Sequence, residues 1–166
     1  MSTITFKGAP VHTQGTLPAI GSIAPNFRAA KTDLSDATLK DYVGKKILLN
    51  IFPSIDTGIC AASARRFNKD AATLSNVIVL CISKDLPQAH KRFCEAEGIS
   101  GVVPLSVIRD DSFDNAYGAK MIDGPMEGYL SRAVIIIGED GKVLYTEQVP
   151  EIAQDPDYEK ALNALK

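Results

Sequence analysis

Three residues between Asn50 and Cys60 have the types and the spacing for thiol chemistry: Pro53, Thr57 and Cys60. A cysteine reacts as its thiolate, so what matters is whether this place favours the charge. Cys60, Ala64, Phe67, Ala71 and Leu74 alternate at steps of four and three, the period of one helix face turned to a core. Cys60 then falls in the first turn of that helix, half sheltered. Backbone N–H groups lack partners there and the helix dipole adds about half a positive charge. Thr57, three residues earlier, is a natural N-cap whose hydroxyl is within reach of the sulfur. Pro53 would wall the thiol from bulk water. Position alone also suits a small apolar residue packed between helix and sheet, as free cysteines often are. Of the other two thiols, Cys81 lies within the unbroken apolar run Val77–Ile82 and reads as inert packing. Cys94 sits among Lys91, Arg92 and Glu95, where an exposed thiol is either incidental or put to use. His12 and His90 belong to no motif and receive no role.

The elements that must position these residues follow from hydrophobic period and turn signals. Lys46–Phe52 ends in an apolar run typical of a strand buried on both faces, and Pro53, which has no N–H to give, stops it. Val77–Ile82 is the next parallel strand, joined by a right-handed crossover through the Cys60 helix. Asp85 is the expected cap of a helix through Glu97, closed by Gly98. Upstream, Ile4, Phe6 and Val11 flank Lys7-Gly8-Ala9-Pro10 as a hairpin within an extension of residues 1–17, a lid or edge on the main sheet. Phe27–Ala30 reads as a short strand and Leu34–Tyr42 as a capped helical turn. Downstream come a strand at Val103–Ile108, a helix at Asp111–Tyr117 stopped by Gly118, and a loop at Gly124–Gly128. A hairpin of Ala133–Ile137 and Val143–Gln148 follows, then a closing helix at Tyr158–Leu165. This order predicts one α/β domain over residues 1–166, with a mixed central sheet between helix layers. Ligands bind beyond the carboxyl ends of strands in such sheets, where Pro53–Cys60 lies.

Pro53, Thr57 and Cys60 together form the Pro-x-x-x-Thr-x-x-Cys signature of the peroxiredoxins, and Phe52-Pro53-Ser54-Ile55-Asp56-Thr57-Gly58-Ile59-Cys60-Ala61-Ala62-Ser63 resembles the thiol peroxidase branch. The resemblance spans nearly the whole chain and implies a thioredoxin-like fold, which the element order matches. It implies that Cys60 attacks a hydroperoxide, that Thr57 holds the substrate oxygens and the thiolate, and that Pro53 shields the nucleophile. Arg132 resembles the family arginine that lowers the charge cost at sulfur and binds the peroxide; without the resemblance it is a charge at a strand end. Cys94, in Arg92-Phe93-Cys94-Glu95, matches the second cysteine of that branch, implying an intrachain Cys60–Cys94 disulfide reduced by thioredoxin. No metal, haem or flavin is implied, and a homodimer is. Met121, Met126, Tyr129 and Leu130 would suit an apolar substrate mouth favouring alkyl hydroperoxides, or core packing.

Charge and composition bound the alternatives. A net charge of −2, scattered along 166 residues, offers no field for nucleic acid or an anionic membrane. The first residues lack a basic region followed by an apolar core, and no stretch has membrane-spanning length, so the expected location is the cytoplasm. Three cysteines, an odd number, favour redox chemistry over a disulfide framework, and their spacing suits no zinc site. A dithiol–disulfide oxidoreductase would need a second thiol close by, where position 57 is threonine. A redox sensor or holdase using the same cysteine pair would be oxidised once rather than turn over.

Overall fold

The computed structural model describes residues 1–166. Its centre is a seven-stranded mixed sheet in the order β4-β3-β7-β6-β5-β8-β9. The three inner parallel strands are β5 (Lys46–Ile51), β6 (Val77–Ser83) and β7 (Val102–Ser106). β8 (Ala133–Ile137) runs antiparallel to β5, and β9 (Val143–Gln148) closes that side. β3 (Arg28–Ala30) and β4 (Asp36–Thr38) form the other edge. The thioredoxin-like mixed architecture expected from the element order is the one observed.

Period-two alternation in β5 divides the core. Ile47, Leu49 and Ile51 enter one apolar cluster with Phe27, Phe113 and Tyr117, while Leu48 and Phe52 enter a second with Cys60, Ala64 and Phe67. The second lies under α1 (Gly58–Ala71), α2 (Pro87–Glu97) and α4 (Tyr158–Leu165). The first lies under α3 (Asp111–Tyr117), where Phe113 and Tyr117 stack at 4.6 Å and Phe27 meets both edge-on. Both faces of the inner strands are thus covered, as their unbroken apolar runs require.

The N-terminal hairpin is a separate two-stranded sheet, β1 (Thr3–Phe6) and β2 (Ala9–His12). Its turn is narrower than expected: Lys7 and Gly8 alone take positive φ (52° and 82°), while Ala9 and Pro10 belong to β2. The hairpin is fastened to the segment after β9. Thr5 N–H donates to Pro150 O at 2.8 Å, Ile152 N–H donates to Thr5 O at 2.9 Å, and the Glu151 carboxylate accepts from the Thr5 hydroxyl and from Lys7 N–H at 2.9 Å.

Two segments differ from expectation. Residues 34–42 are not one helical turn: Asp36–Thr38 pairs with β3, and only Leu39–Tyr42 forms a 3-10 turn, capped reciprocally by Thr38 and Asp41. Pairing with an open sheet edge outweighs local helix signals there. α2 has Leu86, not Asp85, at its N-cap, because Pro87 occupies the first helical position and sets the boundary one residue later.

At Gly118, which ends α3 with φ of 64°, an added Cβ would lie 2.5 Å from both Thr16 N and Thr16 O. Gly118→Ala is expected to lose about 2 kcal/mol or more of stability, from backbone strain and this clash together, read as a lower urea midpoint at unchanged m.

Candidate active site

Antiparallel pairing brings the site together. β5 and β8 register Ile51 against Ala133, so the chain leaving β5 and the chain approaching β8 meet at one end of the sheet. Pro53 follows β5 by two residues and Arg132 precedes β8 by one. From this end Thr57, in extended backbone, starts α1, and Ala61 N–H to Thr57 O at 3.0 Å is the first turn's closing bond. The N–H groups of Gly58, Ile59 and Cys60 lie ahead of it, directed out of the helix end with the dipole behind them.

Cys60 is fully buried rather than half sheltered. Its sulfur lies 3.3 Å from Nη1 of Arg132, itself only 2% exposed. Nε of Arg132 donates to Ile152 O at 2.9 Å, which fixes the plane of the guanidinium. A cation in this dry contact interacts with a thiolate far more strongly than it would in water, and the helix N-terminus acts in the same direction. The hairpin contributes indirectly, since its bonds to Pro150, Glu151 and Ile152 hold the carbonyl that orients Arg132.

Thr57 differs from expectation in what its hydroxyl touches. The side chain makes no cap to the helix, and its Oγ1 donates to Ser54 O at 3.0 Å, not to the sulfur. Its lone pairs stay open, and a rotation about one bond would release the proton for another acceptor.

Pro53, Thr57 and Arg132 share a cavity of about 300 Å³ with Phe6, Gly58, Ile59, Met126, Ile152 and Ala153. Its walls are largely apolar, and the polar side chains among them are Thr57 and Arg132. Of the four residues suggested for an apolar mouth, only Met126 lines it. Met121 and Leu130 are buried in the core, and Tyr129 borders a neighbouring cleft with Lys84 and Asp85. Phe6, Ile59, Ile152 and Ala153 were not apparent from the sequence as site residues; their signal was only apolar residues in loops and a hairpin far apart in the chain. A larger cavity of about 420 Å³, between Ile23–Asn26, Leu39 and Gly138–Gly141, contains neither cysteine nor arginine and offers no such chemistry.

The other thiols occupy different surroundings. Cys81 is buried in β6, where burial pushes its thiol up to about 12 and the hydrogen bond from Asn50 Nδ2, 3.8 Å away, only partly offsets it. Cys94 is half-buried on α2 against the same apolar cluster as Cys60, and burial raises it too. All three thiols are free. His12 bonds Asp123 at 2.6 Å on the surface and does not line the cavity. His90 is buried beside Ser83 and Asp85.

The chain is similar to known proteins over nearly its full length. Residues 19–162 match the family model described as Redoxin. Thiol peroxidases of Mycobacterium bovis and Mycobacterium tuberculosis are 54% identical over 165 residues, which is 99% of this chain and 99% of theirs. A solved peroxiredoxin-like protein from Aquifex aeolicus is 34% identical, with a TM-score of 0.94 over 99% of this chain and 96% of that one. A thiol peroxidase from Chromobacterium violaceum, 20% identical with a TM-score of 0.91, shares the fold.

Two predictions come from this geometry. Arg132→Met is expected to slow alkylation of Cys60 by iodoacetamide at pH 7 about tenfold, with Arg132→Lys in between, while Cys94 alkylates as before; peptide mapping of the labelled thiols decides it. Partial burial works against the Asp85 charge, but the His90 ring, whose Nε2 lies 3.6 Å away, and hydrogen bonds from Ser83, Ile55 N–H and Ser54 outweigh it and hold the carboxyl at about 2. A depressed carboxyl stabilises the fold fully above its unfolded value near 3.8 and ceases to do so as pH falls through 2. Urea unfolding at pH 5 and pH 2 is expected to show about 2 kcal/mol of pH-dependent stability from this residue, absent in Asp85→Asn.

Proposed function

The chain belongs to the redoxin family, among the thiol-dependent peroxidases of the peroxiredoxin type, and on that premise we propose that Cys60 is the residue that attacks the peroxide. It is an enzyme, and it reduces peroxides at the expense of thiols. The observation that carries the assignment is the 3.3 Å contact between the Cys60 sulfur and the buried Arg132 guanidinium, at a helix N-terminus beside an apolar cavity. Neither other cysteine has a cation against it.

In this reading the Cys60 thiolate attacks one peroxide oxygen in line. The S–O bond forms as the O–O bond breaks, and the leaving oxygen departs as water or alcohol after taking a proton. Charge developing on that oxygen is met by Arg132, by the Cys60 N–H and by the Thr57 hydroxyl turned from Ser54 O. Pro53 and the apolar wall exclude water and receive the organic group, which favours alkyl hydroperoxides over hydrogen peroxide. The sulfenic acid then condenses with the Cys94 thiol, releasing water and forming the Cys60–Cys94 disulfide. A thioredoxin-type dithiol reductant exchanges with that disulfide and restores both thiols. Thioredoxin itself, a homodimer joined around the active-site face, and the cytoplasm as its place of work complete the proposal. No helix is long and apolar enough to cross a membrane.

Three variants in a coupled assay with thioredoxin, thioredoxin reductase and cumene hydroperoxide test it. Cys60→Ser is expected to abolish peroxide consumption. Cys81→Ser retains turnover within about twofold, since its thiol is held protonated by burial. Cys94→Ser consumes one equivalent and then stalls as sulfenic acid or over-oxidises. Turnover by Cys60→Ser, or steady cycling by Cys94→Ser with thioredoxin as the only thiol, would remove the corresponding assignment. A sensor rather than an enzyme would show one equivalent of consumption in the wild type as well.

A further inference from the structure

Asp85 does not cap the helix it precedes. Its carboxylate instead accepts from Ser54 Oγ at 2.7 Å and from Ile55 N–H at 2.8 Å, on the loop that leads to Thr57 and Cys60. It also accepts from Ser83 Oγ at 2.6 Å, and Ser83 Oγ lies 2.8 Å from Nε2 of His90. His90 is 1% exposed and stands one helical turn before Cys94 on α2. One relay, buried at Ser83 and His90 and partly buried at Asp85, therefore joins the Cys60 loop to the Cys94 helix.

The protons in the relay can be assigned. Serine has a single hydroxyl proton, and the carboxylate 2.6 Å away takes it. Ser83 Oγ must then accept from His90, which makes Nε2 the protonated ring nitrogen, and Nδ1 is left buried without a partner. A neutral and a charged imidazole both donate through Nε2, so this contact persists in either state. Two exposed ion pairs run alongside, Arg92 to Asp56 at 2.7 Å and Arg65 to Glu97 at 3.3 Å, but pairs in water contribute little.

We infer that the Asp85–Ser83–His90 relay is a clasp holding the Cys60 loop and the Cys94 helix in their closed arrangement, and that its release governs how fast the Cys60 sulfenic acid meets Cys94. This rests on the assignment of those two cysteines as the reacting pair. Asp85 and His90 are positioning residues for the second chemical step, in which the Cys60 S–O bond breaks, the S–S bond forms and the Cys94 proton leaves with the hydroxyl as water. Cys60 is fully buried in an intact first turn, whereas a disulfide needs Cα atoms within about 7 Å and converging side chains. Resolution thus draws on an open minority form, while peroxide attack uses the closed majority. Weakening the clasp multiplies the minority and barely depletes the majority, so the second rate rises while the first stays level.

The test is rapid-quench mass spectrometry on the full chain with one equivalent of cumene hydroperoxide, following Cys60 sulfenic acid as its dimedone adduct and the Cys60–Cys94 disulfide separately. His90→Leu and Asp85→Asn are expected to raise the ratio of disulfide formation to sulfenic-acid formation about tenfold, with the first rate within about twofold of wild type. His90→Gln, whose amide donates from nearly the same point as Nε2, returns the ratio to the wild-type value. The peroxide concentration that over-oxidises half of Cys60 rises in step with the ratio. A role in stability alone would lower the melting temperature and leave the ratio fixed, which overturns the clasp. Both rates falling together overturns it as well. Ser54→Ala removes the donation to Asp85 together with one 3.2 Å bond from Asp56 N–H, leaves Asp85 and His90 in place, and supplies the same reading if Asp85→Asn does not fold. If the wild type forms no Cys60–Cys94 disulfide, the pair assignment falls and the clasp with it; if the disulfide forms and no variant changes the ratio, only the clasp falls.

Discussion

A guanidinium held against a sulfur out of water is the contact on which the rest of this structure depends. Burying a cation is costly unless its surroundings repay it. Arg132 is repaid by the Ile152 carbonyl at Nε and by the thiol at Nη1, and both lie in elements fixed from elsewhere. The carbonyl belongs to a segment stitched to the N-terminal hairpin. The thiol belongs to a helix whose start is set by Pro53 and the loop after β5. The extension that looks peripheral in the sequence is therefore part of the scaffold that aims the cation.

Sheet order supplies the second constraint. The chain leaving β5 leads to Cys60 in the first turn of α1, and Arg132 comes more than 70 residues later. They meet because β8 inserts antiparallel beside β5, with Ala133 opposite Ile51. A parallel strand in that place would begin at the opposite end of the sheet and carry its leading residue away from the thiol. The antiparallel hairpin β8–β9 at the end of a parallel core is thus what allows one strand end to lead to a thiol and its neighbour to present a charge beside it.

Sequence reasoning recovered most of this because hydrophobic period and punctuation agree at each level. β8, β9, α3 and α4 have the bounds that alternation, capping residues and glycines predict. The failures share a cause. Asp85 reads as a helix cap because aspartate before a helical pattern usually is one, yet Pro87 moves the start along and a loop distant in sequence supplies its donors. Leu34–Tyr42 reads as helical until the sheet edge beside it is known. Thr57 reads as a cap by type, while its hydroxyl finds the Ser54 carbonyl. In each case local chemistry was legible and the partner from elsewhere was not. The roles of Cys60, Thr57, Pro53, Arg132 and Cys94 rested on motif resemblance, whereas the cavity wall of Phe6, Ile59, Ile152 and Ala153 emerges only when the hairpin folds over.

The three cysteines show why burial alone does not describe the surroundings of a thiol. Cys60 and Cys81 are equally hidden, at 0% and 2% exposure, and both face the same apolar cluster. Cys81 has strand backbone around it and one weak amide donor, so its thiol stays protonated. Cys60 has the open end of a helix and a cation at 3.3 Å. The same low dielectric that makes an unpaired thiolate expensive strengthens a paired one, so the dry site amplifies a difference that water would erase. That dryness also encloses the Cys60 sulfur, so the proposed reaction requires the site to open before a second thiol can reach it. A thiol in the first turn of a helix suits both demands, because a helix end gives the strongest dipole contribution and is also the part of a helix that opens at the least cost.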